Sequence, residues 1–248
     1  MAWQVLIEQK VLHLPVNMSQ LCLNYESYPL TYDRASDILD RYGLLRNCKD
    51  NDGFALHMKE RFFVFYNNKC TPGRIRFTLA HELGHILLGH LFYEENGLHY
   101  TLKNREPTPT DSPIEHQANI FASRLLAPAC ILDALNIRYP DELMTLCGLS
   151  RQSAEFRLAR MTVLRDRKKD GLRFHQHFLE RQVLHQFRPF IRWARDREVH
   201  QSFQQFHIVR KDHVIGTTLG LVSTRFPDII ALPPDVLLQE NDQLKPII

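Results

Sequence analysis

The sequence contains no apolar run approaching the roughly eighteen residues that a helix needs to cross a membrane. It also lacks the long apolar core of a signal peptide, since Glu8 interrupts the first apolar stretch. Its five cysteines include no C-x-x-C pair, and an odd number of cysteines without such pairing predicts free thiols in a reducing compartment. We therefore expect a cytoplasmic protein without a transmembrane helix.

Charge is distributed unevenly along a chain whose size and hydrophobic content suit one or two folded domains. The net charge is only +3, but residues 151–213 hold 15 Lys and Arg against 7 Asp and Glu. Such a segment either binds nucleic acid or an acidic partner, or forms a solvated helical surface. We favour the solvated surface, and direct nucleic-acid binding stays the alternative.

The pentapeptide at residues 81–85, His-Glu-Leu-Gly-His, has the spacing of a zinc-dependent hydrolase. Histidines four residues apart lie on one face of a helix, with Cβ atoms about 5–6 Å apart. Both imidazoles can therefore reach one Zn²⁺ at about 2.0–2.1 Å. The intervening Glu82 can act as a general base toward a water molecule at the same site. The pattern predicts His81 and His85 as zinc ligands and Glu82 as the catalytic residue.

The flanking sequence favours this interpretation over an ordinary amphipathic helix. Residues 53–57 and the aromatic run 61–66 each read as a strand and predict a hairpin that turns at residues 58–60. Thr71 and Pro72 then supply a helix N-cap and a proline at the first helical position. Helical spacing of the apolar residues that follow predicts a buried face, made of Ile75, Leu79, Leu83, Ile86 and Leu87.

Glu115 is the candidate for a third ligand, because a catalytic zinc keeps three protein ligands and one open position. The alternative is a capping box, in which the Glu115 carboxylate accepts a hydrogen bond from the Ser112 amide. Asn119, one turn after Glu115, is placed to hydrogen-bond a ligand histidine and fix its tautomer. This second predicted helix ends before Pro128, and its apolar residues are Ile114, Ala118, Phe121, Ala122, Leu125 and Leu126.

His90 is a weaker candidate for a metal ligand. It lies five residues after His85, which corresponds to about 140° around a continuous helix, so we expect it to face away from the zinc. A further donor for the tetrahedral oxyanion of peptide hydrolysis is also expected. His99, Tyr100 and His116 are the nearest candidates by sequence, and nothing in the sequence selects one of them.

Together, the two helices resemble those of the ImmA/IrrE family of metallopeptidases. Residues 76–85 read RFTLAHELGH and residues 115–128 read EHQANIFASRLLAP, similar to the family's paired RFTxAHELGH and ExEANxFAxxLLMP helices. The resemblance covers roughly residues 30–162. It departs from the family at Gln117, where a second acidic residue is common, and at Ala127, where methionine is usual. Because Glu115 stands at the family's third-ligand position, the resemblance implies that it binds the zinc.

The resemblance also implies the architecture. We expect an α+β fold with a minimal zincin-like metallopeptidase core, in which a small sheet accompanies the HExxH helix, followed by a helical, helix-turn-helix-like subdomain and a C-terminal extension. The predicted segments are a lead-in of strand and loop, the peptidase core, the helical subdomain and a basic extension of unknown role, at residues 1–28, 29–128, 129–165 and 166–248. The tight turn at residues 148–150 predicts the helix-turn-helix shape, with Ala154 and Leu158 packing inward.

Members of this family cleave helix-turn-helix repressors, often encoded next to them, and so release a prophage, a mobile element or a stress response. The resemblance therefore implies a zinc-dependent, site-specific endopeptidase whose protein substrate is such a repressor. The strand at residues 62–66 is expected to pair with an extended substrate by β-augmentation.

A second hypothesis is a non-proteolytic DNA- or protein-binding regulator, or a toxin–antitoxin component, with a structural or vestigial zinc site. Two features favour the enzyme. Glu82 has no role in a purely structural site, and a closed zinc site would need a fourth protein ligand.

Overall fold

A five-stranded sheet and a set of α-helices dominate the chain that the computed structural model describes. The described residues are 1–45, 48, 51–58, 61–91, 94–95, 98–100, 113–169, 178–196, 210–211, 214–217 and 220–222. The fold is α+β, as predicted, with a small zincin-like core and a helical region. Residues 18–123 form one compact unit, and residues 1–17 together with 124–248 form the other. The finer division into four segments stays a prediction.

The elements of the described chain are numbered in sequence order. The helices are α1 (Ala2–Glu8), α2 (Met18–Asn24), α3 (Ser36–Arg41), α4 (Pro72–Leu87), α5 (Pro113–Leu126), α6 (Ala129–Ala134), α7 (Pro140–Cys147), α8 (Arg151–Lys169), α9 (Phe178–Gln186) and α10 (Arg188–Asp196). The strands are β1 (Ser27–Thr31), β2 (Gly53–Met58), β3 (Arg61–Tyr66), β4 (Glu94–Glu95), β5 (Leu98–Tyr100), β6 (Arg210–Lys211), β7 (Val214–Thr217) and β8 (Gly220–Val222). Strands β6 to β8 form a separate three-stranded sheet.

The predicted hairpin is confirmed, but its outer strand is not an edge of the sheet. β2 and β3 pair antiparallel with Met58 opposite Arg61. On its other side β3 pairs in parallel with β1, from Ser27 opposite Phe62 to Thr31 opposite Tyr66. The strand order is β1-β3-β2-β5-β4. Because both sides of β3 are paired within the sheet, the expectation that residues 62–66 pair with a substrate strand is wrong.

The N-terminal lead-in contains two helices joined by a loop, so the prediction of a strand there is also wrong. Helix α1 buries Ala2, Val5 and Leu6, which follow the i, i+3, i+4 spacing of one helix face. Helix α2 buries Met18, Leu21 and Cys22 with the same spacing. Apolar runs this short fit a strand and a buried helix equally well by composition, so the sequence alone did not distinguish the two structures.

The HExxH helix α4 packs on strands β2 and β3. Of its predicted buried stripe, Leu79 and Leu83 are buried and the other three residues are half-buried. Thr71 is the N-cap residue and Pro72 the first helical residue, as predicted. A second apolar cluster lies between strands β2 and β3 and helix α3, and consists of Ala35, Leu39, Leu44, Phe54, Leu56 and Phe65. Packing on the sheet holds α4 in place, and with it the two histidines.

Phe121 of helix α5 packs closely against helix α4 at Gly84. A Cβ atom there would lie 2.9 Å from Cδ1 and 3.3 Å from Cγ of Phe121, which is itself buried. Ordinary van der Waals contact needs more room than this. The glycine between the two metal-ligand candidates of α4 therefore allows the second helix to come near them.

Replacing Gly84 by valine is expected to lower the free energy of unfolding by about 1–3 kcal/mol, because the added side chain overpacks against Phe121. Denaturant unfolding in the presence of a metal chelator measures this packing effect alone. The double variant Gly84→Val/Phe121→Leu is expected to lose less stability than the sum of the two single changes. Additive losses would show that Phe121 is not the obstructing group.

The unit that contains the later helices has the predicted turn between two helices. Helix α7 ends at Gly148, whose φ of 62° is left-handed, and α8 begins at Arg151 after two further residues. Ala154 is buried as expected, but Leu158 is only half-buried and Arg157 takes the inward position. The Nε and Nη2 of Arg157 donate to the Ala127 carbonyl oxygen at 2.8 and 2.5 Å. The long side chain thus satisfies a carbonyl left unpaired beyond the end of α5.

All five cysteines lie within the described residues and are free thiols, as predicted, with Cys22, Cys130 and Cys147 buried. Within that part of the chain, every helix is too short or too polar to cross a membrane.

Candidate metal centre and active site

Helix α4 carries His81 and His85 one turn apart on its buried side. Their exposed fractions are 3% and 1%. The two Nε2 atoms lie 2.9 Å apart, and the rings meet edge to face with centroids 4.6 Å apart. The predicted i, i+4 arrangement therefore brings two imidazole nitrogens to one point.

Helix α5 brings Glu115 to the same point. Its Oε2 lies 3.2 Å from His81 Nε2, and its Oε1 lies 3.3 Å from His85 Nε2. One ligand atom from each of the three residues falls within a 4.8 Å cluster. Each carboxylate oxygen thus faces a different histidine. Ser112, the partner in the alternative capping box, lies outside the described residues.

The Glu115 carboxylate is ionised at neutral pH. Burial acts to raise its pKa, but hydrogen bonds and charge attraction from His81 and His85, in the metal-free state in which both rings carry a proton on Nε2, outweigh burial and hold the pKa well below the ordinary value. The group therefore supplies a negative charge beside two nearly inaccessible imidazoles.

Asn119 lies one turn after Glu115 on α5, and its Oδ1 is 2.9 Å from His81 Nδ1. An amide oxygen can only accept, so the proton of a neutral His81 lies on Nδ1. The lone pair on His81 Nε2 then points toward Glu115 and His85. Asn119 thus contacts His81, one of the two ligand candidates of α4, and its role in fixing the tautomer stays a prediction.

The three converging side chains are chemically suited to bind a cation. Two imidazole lone pairs and a carboxylate converge, and all three are acceptors. One proton can lie between only two of these atoms, whereas a single divalent cation satisfies all of them. Neutral imidazole and carboxylate are also ligands that zinc prefers.

His90 does not face away from this centre, and that expectation is wrong. Its Nδ1 lies 3.1 Å from His85 Nδ1, and its Nε2 lies 3.0 Å from Gln117 Oε1. Helix α4 ends at Leu87 and Gly89 has a φ of 71°, so the chain turns back before His90. The expected direction of His90 assumed that the helix continues straight to this residue. The pair Leu88-Gly89 is the feature of the sequence that marks the end of the helix.

The helix end has the hydrogen bonds of a Schellman motif, which positions His90. The His90 amide donates to the His85 carbonyl at 2.9 Å, and the Gly89 amide donates to the Ile86 carbonyl at 3.1 Å. His90 is 8% exposed. Burial, followed by the neighbouring His85, lowers the pKa of His90, so its ring is mostly neutral at pH 7.

Glu82 follows His81 on α4 and is 2% exposed. A buried carboxylate that is adjacent in sequence to a ligand candidate is a candidate for proton transfer at this site. Of the three oxyanion candidates, His116 is exposed on α5, and His99 and Tyr100 lie in β5, where only the backbone is described. The structure therefore does not select an oxyanion donor among them.

Comparison with known proteins agrees with the resemblance seen in the two helices. Residues 46–159 match the family model of the IrrE N-terminal-like domain, a peptidase family designated M78. The chain is also similar to the radiation response metalloprotease IrrE of Deinococcus deserti, with 32% identity over 94 residues. That alignment covers 38% of this chain and 32% of the relative. This chain therefore spans about a third of the length of that relative. The family match at residues 46–159 includes both helices of the site.

Proposed function

We propose that this protein, whose residues 46–159 match the family model of IrrE N-terminal-like domains, is a zinc-dependent, site-specific endopeptidase that cuts a regulatory protein. One observation carries the proposal. Two imidazole nitrogens and a carboxylate converge within 4.8 Å, and a buried glutamate follows the first histidine on the same helix.

The proposed zinc ligands are His81, His85 and Glu115. Three protein ligands are the number that catalytic rather than structural zinc sites have. Zinc held by these three residues would polarise the carbonyl of the substrate and lower the pKa of a water molecule to about 7. The ionised Glu115 balances part of the charge of the ion, and Asn119 holds His81 with its Nε2 lone pair toward the site.

Glu82 is the proposed general base and, later, the general acid. Its carboxylate accepts a proton from the attacking water as the water oxygen bonds to the carbonyl carbon of the scissile peptide. The same proton is then delivered to the amide nitrogen as the carbon–nitrogen bond breaks. The burial of Glu82 limits the contact of its carboxylate with bulk water.

The proposed substrate is a helix-turn-helix transcriptional repressor of a phage, a mobile element or a stress response, and the proposed location is the cytoplasm. Support comes from the resemblance of the two helices to those of a family whose members cleave such repressors. A regulatory protease cuts one or a few sites. The expected product pattern is therefore a small number of new protein ends, unlike that of a digestive enzyme.

Metal removal tests the proposal directly. Purified protein loaded with one equivalent of zinc is added to a dialysed lysate of the native host, and newly formed protein N-termini are identified by mass spectrometry. One or a few new termini are expected, with at least one inside a helix-turn-helix regulator. Protein stripped by a chelator should produce none of them, and added zinc should restore them. Identical termini with loaded and stripped protein would contradict a zinc endopeptidase and favour the non-proteolytic regulator.

A further inference from the structure

We infer that His90 and Gln117 form a relay of hydrogen bonds that fixes the tautomer and the ring orientation of His85, and thereby sets the affinity of the site for its metal. This inference rests on the proposed metal site. The two residues are called the His90–Gln117 relay below. It consists of two contacts, Gln117 Oε1 to His90 Nε2 at 3.0 Å and His90 Nδ1 to His85 Nδ1 at 3.1 Å.

The proton positions along the relay follow from its outer end. The oxygen of the Gln117 amide faces His90, and an amide oxygen can only accept. The proton of the neutral His90 ring is therefore on Nε2, and its Nδ1 carries a lone pair. That lone pair accepts the Nδ1–H of His85, which leaves the Nε2 of His85 with a lone pair directed at Glu115 and His81.

A reversed relay would block the site. If the NH₂ group of Gln117 faced His90, each proton would move to the opposite nitrogen, and His85 would carry a proton on Nε2. An Nε2–H cannot coordinate a metal. The orientation of the Gln117 amide thus determines, through the His90 ring, whether His85 can bind a metal.

The two ligand histidines are fixed in different ways by the same helix. Asn119 reaches Nδ1 of His81 directly at 2.9 Å, whereas Nδ1 of His85 contacts the His90 ring, which in turn contacts Gln117 of α5. The edge-to-face contact of His90 with His85, with ring centroids 5.1 Å apart, also restricts rotation of the ligand ring. Groups that orient metal ligands in this way are typically worth about 10–100-fold in metal affinity.

The relay runs from a buried ligand to an exposed residue, which makes it accessible to substitution. His90 is buried, but Gln117 is exposed on α5. Changing Gln117 should therefore leave the packing of the core intact. Methionine at this position keeps the length and removes the acceptor, and glutamate keeps an acceptor that cannot be reversed.

The experiment measures zinc dissociation constants by competition with a chromogenic chelator. We expect His90→Phe and Gln117→Met to bind zinc about 10–100-fold more weakly than wild type, and Gln117→Glu to stay within a few-fold of it. Gln20→Met, the same change on the exposed face of α2, is the control and should leave the constant unchanged. Long-range ¹H–¹⁵N NMR of the histidine rings should show His90 protonated on Nε2 in wild type and lose that preference in Gln117→Met.

The outcomes separate this inference from the proposed function. Unchanged zinc affinity in His90→Phe and Gln117→Met, with wild type binding one zinc ion, would overturn the relay and leave the peptidase site standing. A wild-type His90 protonated on Nδ1 would overturn it as well. Failure of wild-type protein to bind zinc would instead overturn the proposed function, and the relay with it.

Discussion

Replacing Glu82 by glutamine is expected to reduce peptide-bond hydrolysis by about 10²–10⁴-fold, the usual contribution of a general acid–base group. The bound metal should remain. Glutamine has nearly the same shape and still accepts a hydrogen bond through its amide oxygen, but it cannot take a proton from water. Because Glu82 is not among the three residues whose ligand atoms cluster, its loss should remove catalysis without removing a ligand.

The measurement is the rate of formation of the new N-termini, together with the zinc content of each purified variant. Glu155→Gln is the matched control, since Glu155 is exposed on α8 and the chemical change is identical. It should cleave at the wild-type rate. Cleavage by Glu82→Gln at the wild-type rate with one zinc bound would show that another group is the base. A regulatory effect that persists without cleavage would favour the binding-protein hypothesis.

The parts of the fold that the sequence predicted are those that local spacing determines. Two histidines four residues apart share a helix face whatever surrounds them, and the β2–β3 hairpin follows from two apolar strands around a short turn. Pro72 marks the start of α4 because a proline at the first helical position removes no intrahelical hydrogen bond. These features need no information from distant residues.

The features that the sequence missed depend on contacts between distant segments. β1 reads Ser-Tyr-Pro-Leu-Thr, and its proline gives no sign that it pairs in parallel with β3, more than thirty residues later. A parallel partner is chosen by the tertiary fold, since no hairpin turn specifies it. Because β3 lies inside the sheet, residues 62–66 lack the free edge that pairing with a substrate would need.

The candidate site shows the same division at the level of single side chains. The HExxH spacing was sufficient to place His81 and His85 together, with Glu82 between them in sequence. Glu115 was a candidate from the sequence, but its choice as a ligand over a capping residue depended on the resemblance, because a separation of thirty residues carries no geometry of its own. His90 was misplaced because the helix was extended past Leu87, although Gly89 permits the left-handed turn that brings the ring back to His85. Gly89 marks the end of the helix, but the contact of His90 with Gln117 on α5 depends on the tertiary fold.

Replacing Glu115 by alanine is expected to weaken zinc binding by more than the 10–100-fold that loss of an outer hydrogen-bond partner typically costs. The change removes one of three direct ligands and the negative charge that balances the ion. Zinc content and the zinc dissociation constant measure this effect. His116→Ala is the matched control, since His116 is the next residue and is exposed, and it should retain one equivalent of zinc.

Thermal unfolding with and without zinc separates ligation by Glu115 from its alternative, a capping interaction at the start of α5. A ligand that binds only the folded protein stabilises it by about 2.7 kcal/mol at a free concentration one hundred times its dissociation constant. Wild type and His116→Ala should therefore melt at higher temperature with zinc, whereas Glu115→Ala should melt at the same temperature with and without it. Capping alone predicts the opposite pattern. Glu115→Ala would then lower the melting temperature of the metal-free protein and still gain the full stabilisation by zinc, because the ligands would all remain.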